Sequence, residues 1–410
     1  MTQVLFVSIA FPPKSDPECL QTAKCYKYLR NSESLNIEVL TSSSPTLNMP
    51  VDEDLNAFLT GKDTIHEIDV PENRYLNFIR RSIAPSTLEK PDSKNKFHEQ
   101  WQSAITKIQI KPEIIYSRSY PLSSAIMGMK LKEYYKVPHI MHLSDGWTDN
   151  PYRKWSTKGK QFNEHLERNS FKSADLISVT SKKTAEFYQE KYPEFADKIK
   201  LHFNCFDPDD LKPSHVNWEG KLQLVYTGGL VGSRVPTPLF QALDELAVRN
   251  PEILKKLDIV FAGHLDSTTR KIFNLCSHKC VTHLGPVSYE HALTLQKKGH
   301  ILLIIDSKLD NPMEAMLYPS KLPDYLMAQR QILAITDQQS STHDAIVKHN
   351  LGTCFEHHQS LKLAEHIEQL VNDFELRKEE NFLMTNSVDE LSAIKNAEKL
   401  ENWIMKLTQK

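Results

Sequence analysis

The chain has 410 residues, of which 40% are hydrophobic and 25% charged, and its formal net charge is −2. That length exceeds one ordinary core and predicts two globular domains of about 200 residues each. The balanced charge, spread over both halves, excludes a nucleic-acid-binding protein, which would carry a basic face. Six cysteines (Cys19, Cys25, Cys205, Cys276, Cys280, Cys354) show no disulfide framework and suit a reducing cytosol. No apolar run approaches the length needed to span a bilayer.

The first half alternates strands and helices. Val4–Phe11 is apolar without a basic leader and predicts a first strand rather than a signal peptide. A rigid loop, Pro12 to Pro17, precedes a helix over Leu20–Leu29 and a strand at Ile37–Leu40. Residues 45 to 100 read as irregular. Within them Arg74 to Arg81 mixes apolar and basic residues and could rest on an anionic membrane; a solvated helix packed on the domain is preferred. Strands follow at Pro112–Tyr116, Val137–Leu143 and Leu176–Thr180. Helices are expected from Pro121 to about Tyr135, over Lys160–Ser173 and from Ser181. This alternation predicts a parallel sheet with helices on both faces.

Prolines and acids between Asn204 and Gly220 predict a linker, 206–220, dividing a domain at 1–205 from a second at 221–386. The second series has strands at Leu222–Tyr226, Leu257–Ala262, Val281–Leu284, Ile301–Asp306, Gln331–Ile335 and Leu351–Phe355. Helices are expected at Thr237–Arg249, Tyr289–Lys297 and Lys321–Ala328. A last helix lies within 387–410. The fold class is α/β, with two doubly wound domains facing across a cleft.

Three groups carry candidate chemistry. Thr227-Gly228-Gly229 begins the sole glycine cluster and runs on to Arg234. It lies between a strand and a helix for which Thr237 is the expected N-cap and Pro238 the first residue. Glycines admit a phosphate to the backbone, a helix start favours negative charge, and an arginine binds it bidentately. The plain alternative is a tight turn with a surface arginine. Ser320, Lys321, Leu322 and Asp324 open a second helix after the apolar strand that ends at Asp306, so two cationic helix starts suit a diphosphate. In the first half, His142, Asp145, Trp147 and Asp149 are expected at the carboxyl edge of the strand that ends at Leu143, where acids and an imidazole could bind sugar hydroxyls or support proton transfer. A Trp there can stack on a sugar ring; the alternative places Trp147 in the core. Arg118 is expected at the same edge, as a surface or salt-bridge residue. Cys276, His278, Cys280 and His283 match no trusted zinc spacing, and His357-His358 reads as an exposed pair.

Together these segments resemble the GT-B glycosyltransferases of family 4, which are retaining and use nucleotide-sugar donors. The resemblance rests on Phe11-Pro-Pro13, His142 to Pro151, Asn204 to Asp207, Tyr226 to Arg234, Phe261-Ala-Gly263, Leu284 to Tyr289 and Pro319-Ser-Lys321-Leu-Pro-Asp324-Tyr-Leu. The last is similar to the P-S-K-x-x-E-Y-L element that takes the donor's phosphates and ribose.

The resemblance implies two Rossmann-like domains. Gly228, Gly229, Arg234, Ser320, Lys321, Leu322 and Asp324 would bind the donor. His142 and Asp145 would be catalytic, and Arg118, Trp147 and Asp149 would contact the acceptor. The last helix, Glu390 to about Leu407, would return to the first domain. No metal or other cofactor is implied.

Two departures stand out. Met316 occupies the first position of the family's E-x7-E pair, with Glu314 or Asp310 nearby, and Ser15-Asp16-Pro17-Glu18 replaces the usual glycine pair after the first strand.

The expectation is a cytoplasmic, metal-independent hexosyltransferase. It would act on a saccharide or lipid-linked acceptor in bacterial surface polysaccharide (capsule or O-antigen) synthesis, with peripheral contact at the inner membrane face left open by the Arg74–Arg81 segment. The alternatives are a nucleotide-sugar epimerase or hydrolase on the same plan, or a non-catalytic subunit of a polysaccharide assembly complex.

Overall fold

The computed structural model describes residues 1–43, 49–210, 215–384 and 388–409. Residues 211–214 of the expected linker and the expected boundary at 386–387 lie outside the described residues. The chain divides into two compact units, Met1–Cys205 with Glu390–Lys410, and Phe206–Asp389.

Among the described residues the first unit contains a seven-stranded sheet. Its strands are β1 (Thr2–Val7), β2 (Leu35–Ser42), β3 (Thr64–Ile68), β4 (Ile114–Ser119), β5 (His139–Leu143), β6 (Leu176–Val179) and β7 (Ile199–Leu201). Their order is β3-β2-β1-β4-β5-β6-β7, and every pairing is parallel. The order reverses between β1 and β4, and ligands of open α/β sheets bind beyond the carboxyl ends at such a point.

The second unit holds β8 (Leu222–Thr227), β9 (Leu257–Ala262), β10 (Val281–Gly285), β11 (Ile301–Ile305), β12 (Ile332–Ile335) and β13 (Gly352–Phe355). This sheet is also parallel, in the order β10-β9-β8-β11-β12-β13, and reverses between β8 and β11. All five residues of β11 are buried, as its unbroken apolar run requires of a strand covered on both faces.

Each unit has its own core. Leu224, Tyr226, Leu243, Phe261, Leu303 and Ile367 belong to that of the second. In the first unit, Phe6, Tyr26, Tyr116 and Ile140 pack with Ala397, Leu400 and Ile404 of the final helix, Ala393–Thr408. Each such aliphatic or aromatic side chain contributes about 1.5–3 kcal/mol.

Three expectations about local structure need correction. β1 ends at Val7, not Phe11: the Ile9 N–H turns out of the ladder to donate to Ser124 Oγ at 3.0 Å, although the segment stays buried. Thr237 is the first residue of the helix Thr237–Arg249 and caps nothing, because Pro236 takes the cap position. The supposedly irregular stretch 45–100 contributes β3 and a helix, Arg74–Ile83. Asn73 caps that helix, its side chain accepting from the Leu76 N–H at 3.0 Å.

Candidate functional site

In the second unit the site forms where the sheet order reverses. Thr227 ends β8, and Gly228 adopts φ +109°, a conformation glycine reaches without a Cβ penalty. A methyl group on Gly228 would stand 3.1 Å from Lys321 Nζ. A Cβ on Gly263, at φ +152°, would meet the Gly228 carbonyl oxygen at 2.0 Å. Two backbones therefore approach as closely as only glycine allows, and the turn is held open for Lys321.

Lys321 is the first residue of the helix Lys321–Ala328. Tyr325 fixes that helix: its hydroxyl accepts from the Thr227 N–H at 3.1 Å and donates to the Leu303 carbonyl at 3.0 Å, tying it to β8 and β11. Lys321 Nζ thereby lies 3.6 Å from the centre of the Tyr226 ring, inside cation–π range.

The lysine stem is partly exposed, but Nζ is enclosed and makes no hydrogen bond to the protein. Burial and the nearby Arg234 hold its pKa well below the ordinary lysine value, against the opposing pull of Asp306. Asp306, just past β11, accepts from Thr336 Oγ1 at 2.8 Å. An enclosed ammonium without a hydrogen-bond partner is costly and favours an anion arriving beside it.

The expected donor residues Gly228, Gly229, Arg234 and Lys321 are thus gathered at one sheet edge. Arg234 adds charge beside Tyr226 and Lys321. Ser320 precedes the helix start and its side chain makes no cap bond; Leu322 is fully buried, and Asp324 is buried in the helix's first turn. Met316 is buried, while Glu314 is half-buried and accepts from the Asp310 N–H at 3.1 Å.

The histidine pair is split, correcting the exposed reading. His357 is half-buried with Nε2 3.1 Å from the Asp306 carbonyl oxygen, and His358 alone is exposed. No group of three or more metal-capable residues gathers among the described residues.

The first unit corrects more. Of the two readings of Arg118, the salt bridge holds and the surface position does not: it is buried, with Nε 2.7 Å from Glu18 Oε1. Glu18 also accepts from Ser144 Oγ. Burial pushes the Glu18 carboxyl up to about 7 despite the pull of Arg118.

His142 lies inside β5, one residue before its end, as the strand expected to close at Leu143 places it, but it is fully enclosed. Parallel register aligns Arg118, His142 and Ser178 across three strands, and His142 Nδ1 meets Ser178 Oγ at 2.9 Å. Burial, with Arg118 and His202 adding to it, keeps the imidazole neutral by lowering its pKa well below the ordinary value.

Trp147 belongs to the core: its indole N–H donates to Asn163 at 2.9 Å and its backbone N–H to Tyr188 at 2.7 Å. With no exposed face it cannot stack on a sugar. Asp149 is held by Lys191 at 2.5 Å, and Asp145 is half-buried.

Sequence reasoning assigned no role to Glu18 or Tyr325. The tyrosine lies inside the quoted PSKLPDYL element, whereas Glu18 stood only as a departure from the glycine pair.

No family model and no curated protein matches the chain. Solved structures do. Sucrose-phosphate synthase from Thermosynechococcus elongatus matches with TM-score 0.66 and 14% identity over 99% of each chain. The lipopolysaccharide outer core galactosyltransferase WaaB, in its apo form, matches with TM-score 0.60 and 14% identity over 99% of each chain. The UDP-GlcNAc 2-epimerase from Neisseria meningitidis, bound to UDP-GlcNAc, matches with TM-score 0.57 and 14% identity over 99% of each chain. At this identity the likeness establishes the fold, two Rossmann-like domains of the GT-B class.

Proposed function

We propose that this chain is a glycosyltransferase that moves a hexosyl group from a nucleotide-diphosphate sugar to a saccharide or lipid-linked saccharide. The observation that carries the reading is Lys321 Nζ: enclosed, without a hydrogen-bond partner, above Tyr226 and beside the Gly228 turn. A diphosphate is the ligand that satisfies such a cation together with Arg234 and the helix start.

In the transfer, the bond from the anomeric carbon to the diphosphate oxygen breaks and the acceptor hydroxyl oxygen forms the new one. The hydroxyl proton leaves with the diphosphate or to solvent. Lys321 and Arg234 stabilise the charge that develops on the departing diphosphate, the step at which preorganised charge has most effect. Asp324 takes the ribose hydroxyls, and Ser320, Leu322 and Gly229 shape the phosphate turn. Retention at the anomeric carbon, by same-face attack without a metal, is part of the proposal and rests on the family 4 resemblance. In the first unit, Asp145 is assigned to the reacting sugar and Asp149 to the acceptor. His142 acts as a neutral positioning group and Arg118 through Glu18, while Trp147 is assigned to the core. A cytoplasmic role in surface polysaccharide synthesis completes the reading.

The second reading, a nucleotide-sugar epimerase, is favoured by the structural likeness to the UDP-GlcNAc 2-epimerase. Incubating the protein with a panel of nucleotide sugars, with and without saccharide acceptors, separates the two. The proposal expects nucleotide release that depends on acceptor and a new glycosidic product with the donor's anomeric configuration. Acceptor-independent conversion to an epimer would replace it with the second reading, and an inverted product would remove retention.

A further inference from the structure

The helix Arg74–Ile83 turns its apolar stripe outward. Tyr75, Phe78, Ile79 and Ile83, at spacings of three and four, share one face of a helix that advances about 100° per residue. Tyr75 is 73% exposed, Phe78 70% and Ile83 77%, with Leu76 beside them at 46%. An ordinary surface helix buries such a stripe; this one presents Tyr75, Phe78 and Ile83 to solvent and half-buries only Ile79.

The same ten residues include three arginines (Arg74, Arg80 and Arg81) and no acid. The opposite flank carries Asn77 and Arg80 over a cavity of about 220 Å³, which Glu72, Ser93 and Lys96 also line. A second protein would match the apolar stripe but needs no arginine flank. An anionic bilayer matches both: acyl chains receive the rings and Ile83, and lipid phosphates meet Arg80, Arg81 and Lys96.

The geometry points to this helix as a docking element for an anionic phospholipid surface, inserted parallel to the membrane plane. The inference does not rest on the transferase reading. It reverses the solvated, domain-packed expectation for Arg74–Arg81, because Tyr75, Phe78 and Ile83 stand exposed on the apolar face and only Ile79 is half-buried.

Cosedimentation of the full chain with vesicles tests it, using POPC alone against POPC with POPG. The expected result is partition onto the POPG vesicles only, weakened by salt. Replacing Phe78→Ser and Ile83→Ser together should reduce partition at least about tenfold per residue. Arg80→Glu with Arg81→Glu should reduce it at least about fivefold per charge removed. Because these side chains are exposed, melting temperature and nucleotide binding should stay unchanged, which separates failure here from failure of the transferase reading. A Phe78→Trp variant gives an independent readout, a blue shift of its fluorescence on POPG vesicles. Equal partition onto POPC, undiminished partition of the variants, or a dimer in light scattering that Phe78→Ser abolishes would overturn the inference.

Discussion

The ammonium of Lys321 sits 3.6 Å from the centre of the Tyr226 ring and makes no hydrogen bond to the protein. Tyr325 holds the lysine's helix there by bridging β8 and β11. The chain therefore bears the desolvation of a cation at the one edge where its second sheet reverses order. On the proposed reading that cost is offset when a diphosphate arrives.

Stability and activity should consequently move in opposite directions at this position. Lys321→Met removes an enclosed charge that has no hydrogen-bond partner and should leave the free protein unchanged or stabilised by about 1–3 kcal/mol. Transfer should fall by about 10²–10³-fold, and Arg234→Ala should cost a similar factor. Denaturant titration beside initial rates checks both. A strongly destabilised Lys321→Met would mean that the lysine is structural.

Diphosphate binding should depend on pH earlier than an ordinary lysine would allow. Burial and Arg234 lower the Lys321 pKa in the free protein, while a bound diphosphate favours the protonated form. Binding should therefore take up protons, and affinity should fall as pH rises through a range well below 10.5. Calorimetry of nucleoside diphosphate binding in buffers of different ionisation enthalpy measures the uptake. No proton uptake, with affinity flat to the ordinary lysine range, contradicts the assignment.

Glu18 provides a second pH test, in the other unit. Its carboxyl is raised from 4.5 to about 7, so between those values the folded state binds more protons than the unfolded state. Stability should therefore fall as pH rises from about 4.5 to about 7, by at most about 3 kcal/mol. Glu18→Gln lacks the titration, so wild-type stability minus that of the variant should decline across this window. A flat or rising difference would show that the Arg118 pair outweighs burial.

Trp147 should behave as core. Trp147→Ala should cost about 3–5 kcal/mol, and Trp147→Phe less, with the loss of the Asn163 hydrogen bond at its centre. Thermal or denaturant unfolding checks this. Unchanged stability with a raised KM for acceptor would return the indole to the substrate.

What could be read beforehand follows from where each signal lies. Ile301 to Ala328 was legible almost to the residue, because an unbroken apolar run and a Pro-Ser-Lys helix start are both local. β3 escaped because its Thr-Ile-His-Glu-Ile pattern belongs to an edge strand, with only His66 and Ile68 buried. The row Arg118, His142, Ser178 depends on strand register across residues 24 and 36 positions apart, which spacing alone does not disclose. Trp147 misled for the same reason: Asn163 and Tyr188, which bury it, are remote in sequence.

The central claim is that the Gly228 turn, Arg234 and Lys321 form a diphosphate cradle. Calorimetric titration with UDP, GDP and ADP against uridine, guanosine and adenosine tests it most directly, in wild type and Lys321→Met. The account predicts that one diphosphate binds at least about 100-fold more tightly than its nucleoside, as a pair of charge-assisted contacts should give. It also predicts that Lys321→Met loses most of that gap. Equal binding of diphosphate and nucleoside to the wild type, or a gap untouched by Lys321→Met, would contradict it.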